Sequence, residues 1–175
     1  MTQRFTESNV EEAALAWLET IGYTVLSGPQ IAPGEPAAER ENYGQVVLEA
    51  RLRQALQRLN PKMPADALKE AFRKIARPDS PSLTVNNHAV HKYLVEGVPI
   101  EIQRPDESFG GDLVWVLDHD NPENNEFLAV NQFTVAENQH ERRPDIVLFG
   151  TSARCHELLR QPPASAPVAS RVGEV

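Results

Sequence analysis

The stretch Val98-Pro99-Ile100-Glu101-Ile102-Gln103 decides the fold class, because the apolar period changes there. From Val98 onward Ile100 and Ile102 alternate with Glu101 and Gln103, the signature of a half-buried strand. Upstream, apolar residues recur every three to four positions, as on one face of a helix. A helix is expected from about Ser82 to Glu96, with Leu83, Ala89, Val90, Tyr93 and Leu94 on its stripe and Gly97 after its end. A shorter helix carries Leu68, Ala71, Phe72 and Ile75 and stops before Pro78. Another carries Leu48, Leu52, Ala55, Leu56 and Leu59 and ends at Asn60-Pro61.

Residues 27–43 hold three prolines and two glycines without any period, so they read as an extended surface connection. Before them, Tyr23-Thr24-Val25-Leu26 reads as a short strand. The first helix places Val10, Ala13, Ala14, Trp17, Leu18 and Ile21 on one face. Thr6 or Ser8 caps its start, acids enrich its first turn, and Gly22 stops it.

Downstream of the deciding stretch, Leu113 to Leu117 is a continuous apolar run, joined to it through a turn-rich segment and expected as a hairpin partner. Phe127 to Val135 reads as a third strand. Ile146-Val147-Leu148-Phe149 reads as a fourth, entered through Arg142-Arg143-Pro144-Asp145. The fold class that follows is α+β, a mostly antiparallel mixed sheet flanked by helices. Residues 1–150 form one domain with a helical insertion at about 44–96. Residues 151–175, rich in Pro, Ala and Ser, are expected to be a disordered or aberrant tail.

The chain has 175 residues with 17 Lys and Arg against 25 Asp and Glu, a formal net charge of −8. That balance argues against nucleic-acid binding by bulk charge and leaves open a local basic patch. No stretch approaches the ~20 apolar residues of a membrane span, so no membrane partner is expected. Residues 1–7 show no apolar core of a secretory signal. The single cysteine, Cys155, can form neither an internal disulfide nor a cysteine-based zinc site, and a cytoplasmic location is expected.

Two carboxylates stand in positions suited to a hard cation. On a helical wheel Glu11 lies between Leu15 and Leu18, at the flank of the apolar stripe, with Glu7 one turn earlier. Asp145 opens a hydrophobic strand directly after a proline. A helix carboxylate and a strand-edge carboxylate can share a divalent ion such as Mg²⁺. Spacing alone favours plainer roles: helix-dipole complement for the glutamates, turn former for the aspartate. His88 and His91 sit at i and i+3 without a third ligand at a fitting position, which favours exposed histidines over a zinc site. Asp118-His119-Asp120-Asn121-Pro122-Glu123-Asn124 lacks the glycine and terminal glutamate of a calcium loop and reads as a capped, hydrogen-bonded turn.

Several segments, in order, resemble one family. They are Phe5 to Tyr23, Asn42-Tyr43-Gly44-Gln45-Val46-Val47-Leu48-Glu49, Asp120 to Phe127, Val130-Asn131-Gln132-Phe133-Thr134-Val135, and Arg142 to Phe149. Together they resemble the opening of the restriction (R) subunit of type I restriction enzymes, over about residues 4–149. The resemblance implies a nuclease domain of the PD-(D/E)xK class and a restriction-endonuclease-like core, with Mg²⁺ held by acidic side chains. It implies DNA as substrate, and methyltransferase and specificity subunits as partners. Carried over residue by residue, it makes Asp145 the metal-binding aspartate and Glu11 the acid of the first helix, with Glu7 its companion. Arg142 and Arg143 become candidate phosphate contacts.

The family pattern continues into a second strand bearing Glu-x-Lys, whose lysine stabilises developing charge. Here no second apolar strand is expected after Phe149. Glu157-Leu158-Leu159 has leucine at the lysine position, and no lysine follows Lys92. No Gly-x-x-x-x-Gly-Lys loop for ATP is present, although full-length members use ATP. The expectation is therefore an incomplete core and an inactive chain, from a truncated or frame-disrupted gene. A noncatalytic DNA- or subunit-binding module, or a nonfunctional fragment, are the alternatives.

Overall fold

The computed structural model describes residues 6–77, 80–103 and 107–150, and the backbone of 155–157. Four helices, α1 (Glu7–Thr20), α2 (Glu49–Leu59), α3 (Ala65–Ala76) and α4 (Leu83–Glu96), accompany eight short strands. These are β1 (Thr24–Ser27), β2 (Val98–Gln103), β3 (Phe109–Val114), β4 (Leu128–Asn131), β5 (Val135–Glu137), β6 (His140–Arg142), β7 (Ile146–Phe149) and β8 (Cys155–Glu157). The main sheet has the order β1-β4-β7-β8, and β2-β3 and β5-β6 form separate hairpins. Among the described strands only β1 and β4 pair parallel. The α+β class is as the period change at Val98 indicates, and the sheet is mixed and mostly antiparallel as expected. No described helix is long and apolar enough to cross a membrane.

Alternation along the strands divides the main sheet between two cores. Ala129 and Ile146 face α1, meeting Leu18 with Ala14, Leu15, Tyr23, Val25 and Leu148 at the edges. Leu128, Val130, Val147 and Phe149 point the other way, into a larger core with Leu52 and Leu56 of α2, Phe72 and Ile75 of α3, and Val98, Ile100 and Val114 of the β2-β3 hairpin. The stripes of α2 and α3 read from the sequence are the faces that are buried.

Four expectations change. The buried face of α1 is rotated: Leu18 is 3% exposed, whereas Trp17 is 63% exposed and Val10 and Ile21 also stand in solvent. Two overlapping apolar stripes exist on this helix, and the sheet takes the one through Ala14, Leu15 and Leu18. The connection 28–48 is a run of turns that reaches inward, burying Ile31, Ala32 and Arg40. Arg51 of α2 clamps it by donating to Glu39, and also donates to Glu126 before β4. Those hydrogen bonds, foremost the one with Glu39, hold the Arg51 guanidinium above its ordinary pKa. The expected strand Phe127 to Val135 breaks at Gln132, whose φ of 55° cannot continue a strand. Finally, a second strand does follow Phe149: β8 pairs antiparallel to β7, with Val147 opposite Glu157. Most of the tail, 151–154 and 158–175, lies outside the described residues.

Asn60, buried just after α2, joins two layers. Its amide donates to the carbonyls of Leu56 (2.9 Å) and Trp115 (2.8 Å), and its oxygen accepts from the Trp115 N–H (2.7 Å). One side chain thus closes the end of α2 and satisfies the backbone just past β3.

Candidate functional site

The end of the main sheet where β1 and β4 finish and β7 begins gathers the candidate residues. Asn131 lies opposite Ile146 as the last register pair of β4 and β7. The ladder runs one step further, with the Gln132 N–H donating to the Asp145 carbonyl at 2.9 Å. On the other side the Gly28 N–H, just past β1, donates to the Asn131 carbonyl at 2.7 Å. Glycine is required there: a Cβ on Gly28 would stand 2.4 Å from the Gln132 carbonyl oxygen.

The positive φ at Gln132 turns the chain out of β4 and carries the side chain toward α1. Its amide nitrogen donates to both carboxylate oxygens of Glu11, at 3.2 and 3.4 Å. Glu11 is half-buried, because it precedes Ala14, Leu15 and Leu18 by one and two turns on the sheet-facing side of α1. Asp145 is half-buried as well, held between the exposed Arg143 and the buried Ile146. Glu11 and Asp145 are therefore tied to one residue, Gln132, at one end of the sheet.

The other sequence candidates fall as follows. The side chain of Glu7 lies outside the described residues, although its backbone opens α1. Arg142 ends β6 opposite Val135, Arg143 follows it, and both are exposed at the approach to Asp145. Among the described residues no three His, Cys, Asp or Glu side chains group as a three-ligand metal site needs. Two carboxylates suffice chemically for Mg²⁺, which keeps several waters. Glu11 and Asp145 meet that smaller requirement by donor type, and no third carboxylate joins them among the described residues, which leave out the side chains of Glu7 and Glu157.

His88 and His91 stand exposed on α4. In the loop after β3, the Asp118 carboxylate accepts from the N–H groups of Asp120 (3.1 Å) and Asn121 (2.9 Å) and from the Asn124 amide (2.7 Å). Asn125 returns two bonds to the Asp118 backbone, so this is the hydrogen-bonded turn its composition suggested.

Gln132 is what sequence reasoning missed. It sits inside the quoted run Val130 to Val135 with no role assigned, and its only signal is a polar pair, Asn131-Gln132, interrupting an apolar strand. Its neighbour Phe133 is fully buried, and the Arg40 guanidinium lies 3.8 Å over that ring, with Tyr43 at 5.3 Å. Arg40 is 4% exposed and its three guanidinium nitrogens have no hydrogen-bond partner among the described residues. Burial lowers its pKa from the ordinary arginine value.

Comparison with known proteins bears on this arrangement. The model of the type I restriction enzyme R protein N terminus matches residues 4–153. The chain is similar to a Methanocaldococcus jannaschii protein named provisionally as the type I restriction enzyme MjaIXP endonuclease subunit. The two are 31% identical over 143 residues, which cover 80% of this chain and 13% of that protein. It is also similar to the type I restriction enzyme HindI endonuclease subunit of Haemophilus influenzae. That match is 29% identical over 144 residues, covering 82% of this chain and 14% of the relative. The matched region is thus about one-seventh of each relative's length.

Proposed function

The chain belongs to the family of the type I restriction enzyme R protein N terminus, and on that premise we propose that it is the nuclease-bearing end of an R subunit. Its substrate is DNA, and it works beside methyltransferase and specificity subunits. The observation that carries this reading is the tie of Glu11 and Asp145 to Gln132. The family's acidic helix residue and strand aspartate lie at one end of the sheet, Glu11 by its carboxylate on the Gln132 side-chain amide and Asp145 by its backbone carbonyl on the Gln132 N–H.

In this reading Asp145 and Glu11 would hold Mg²⁺, and the bound ion would supply Lewis-acid activation of a phosphodiester and of water. The protein's own contribution is orientation. Gln132 occupies one lone pair on each Glu11 oxygen, and a carboxylate has further lone pairs for a cation. Arg142 and Arg143, exposed beside Asp145, contact phosphate. The lysine that stabilises developing charge is missing, since Leu159 stands at its position and no lysine follows Lys92. Several kcal/mol of transition-state stabilisation go with it, at tenfold in rate for each ~1.4 kcal/mol. By itself the chain therefore binds metal without efficient cutting.

Titration with Mn²⁺ tests this directly. Binding that is lost in Asp145→Ala and Glu11→Gln supports the reading, with little nicking of supercoiled plasmid in Mg²⁺ or Mn²⁺. Nicking that survives Asp145→Ala overturns it. The leucine at position 159 favours one second reading, a noncatalytic docking module of the restriction complex. Absence of Mn²⁺ binding together with retained capture of the partner subunits would select that reading.

A further inference from the structure

Arg40 is the charge that the fold explains least. It is 4% exposed, and no carboxylate pairs with it among the described residues. The faces of Phe133 and Tyr43 attract its charge, but they give its in-plane N–H donors no oxygen to meet. Buried donors left in this way are costly. Burial lowers the guanidinium pKa, and the opposing influence comes from Tyr43 and not from an acid.

A second set of donors without acceptors stands close by. Helix α2 begins at Glu49 after Leu48, a fully buried apolar residue that provides no side-chain cap. The N–H groups of Glu49, Ala50 and Arg51 have no acceptor among the described residues. A hollow of about 720 Å³ is lined by Arg40 and Gln45 of the connection and by Ala50 and Arg51 of α2. Gln45 accepts from the Glu41 N–H at 2.8 Å through its oxygen, which leaves its amide N–H groups as donors. Acids line the hollow too, and two of them are engaged: Glu39 accepts from Arg51, and Glu49 pairs with Arg53 at 3.3 Å. A plainer explanation covers only part of this. Glu49 in a first turn complements the helix dipole, yet it accepts from none of the N-terminal N–H groups and does nothing for Arg40.

We propose that this hollow is a binding site for a phosphate dianion, free or as the terminal group of a small molecule, held by the Arg40 guanidinium and the uncapped N-terminus of α2 with Gln45 beside it. A tetrahedral oxyanion supplies several acceptors at once, and an arginine beside a helix N-terminus is a fitting donor set for one. The acids at the rim disfavour a long polyanion, and the shielded guanidinium admits only a compact one. The bound anion would pin the connection 28–48 to α2 on the side opposite α1, so its effect is to stabilise the fold. The site requires neither metal nor DNA and goes beyond the nuclease reading.

The test is the melting temperature of the whole chain in inorganic phosphate against sodium chloride of equal ionic strength, in chelator. At about ten times the dissociation constant the gain should be about 3–6 °C. Phosphate also stabilises proteins generally by exclusion from their surface, so the gain is compared between parent and variants. Arg40→Met keeps the stem over Phe133 and should lose the specific gain, with phosphate affinity in calorimetric titration weakened about tenfold or more. Should that variant fail to fold by circular dichroism, Gln45→Glu serves in its place. It keeps an acceptor for the Glu41 N–H, sets a negative charge where a donor stood, and should lose the gain as well. Adenosine monophosphate as a second probe separates the sources. Tighter binding than inorganic phosphate marks a phosphomonoester and weaker binding a free anion, and either supports the site when it is lost in the variants. An equal rise in parent and variants, or no saturable binding of either probe, overturns the proposal. Because no divalent metal is present, failure of Glu11 and Asp145 to bind Mn²⁺ would leave this result standing.

Discussion

Gln132 donates its side-chain amide to both carboxylate oxygens of Glu11 although 121 positions separate them in the chain. The same residue's backbone N–H extends the β4-β7 ladder to the carbonyl of Asp145. A helix on one face of the sheet and a strand within it are thus referenced to a single residue held at positive φ.

Substitutions at position 132 can separate backbone from side chain. Gln132→Gly keeps the left-handed conformation at little cost and deletes the amide. Stability by urea denaturation should stay within about 1 kcal/mol of the parent, while Mn²⁺ affinity falls about tenfold or more, as when a ligand's hydrogen-bonded neighbour is lost. Gln132→Ala should lose both. An unaltered Mn²⁺ affinity in the glycine variant would remove Gln132 from the site.

The rotated face of α1 makes a sharp contrast between adjacent residues. Leu18→Ala should cost about 2–5 kcal/mol, since it opens a cavity against Ala129 and Ile146. Trp17→Ala should stay within about 0.5 kcal/mol, because the indole stands in solvent. Equal losses in chemical denaturation would contradict the packing described here.

Asn60→Leu leaves the Trp115 N–H and carbonyl without their partner in a part-buried setting beside the buried position 60. Each orphaned group costs about 1–3 kcal/mol, so a loss of about 2–5 kcal/mol is expected in the denaturation midpoint at constant m-value. Asn60→Asp should be intermediate near neutral pH, since the carboxylate still accepts from Trp115 and no longer donates.

Arg40 is a buried cation whose polar atoms are met by ring faces. Arg40→Met keeps the long apolar stem over Phe133 and removes the desolvated charge, so thermal stability should be retained or raised. Arg40→Ala should lose about 2–3 kcal/mol by uncovering Phe133 and Tyr43. A Met variant as unstable as the Ala variant would show that the charge itself holds the connection 28–48 in place.

The Asp118 loop should respond to acid in a defined direction. The Asn124 amide, then the Asn121 N–H, hold the Asp118 carboxyl below the ordinary aspartate value. A lowered native pKa means that the contribution is complete above the unfolded value, near ~3.9, and is lost as pH falls through the native one. Proteolysis between residues 118 and 125 should accelerate in that acidic window and not between pH 5 and 8. Asp118→Asn should flatten this dependence, and a loop that opens at neutral pH would refute the assignment.

Periodicity alone located α2 and α3, because each carries one dominant apolar stripe and a clear breaker, and Gly97 with the change of period at Val98 marked the end of α4, whose stripe is less regular and buries Val90 while leaving Leu83 exposed. The apolar segments likewise indicated a hairpin from Val98 to Leu117, and the mixed sheet was what the family resemblance implied. The tertiary structure decided the rest. Helix α1 offers two apolar stripes of similar strength, and only the shape of the sheet beneath it selects Leu18 over Trp17 and turns Glu11 inward. The break at Gln132, the glycine demanded at position 28 and the burial of Arg40 depend on contacts between segments far apart in the chain, which a local period cannot encode. The sequence marked Glu11 and Asp145 as candidate acids. Their common anchor at Gln132 exists only once the strands have paired.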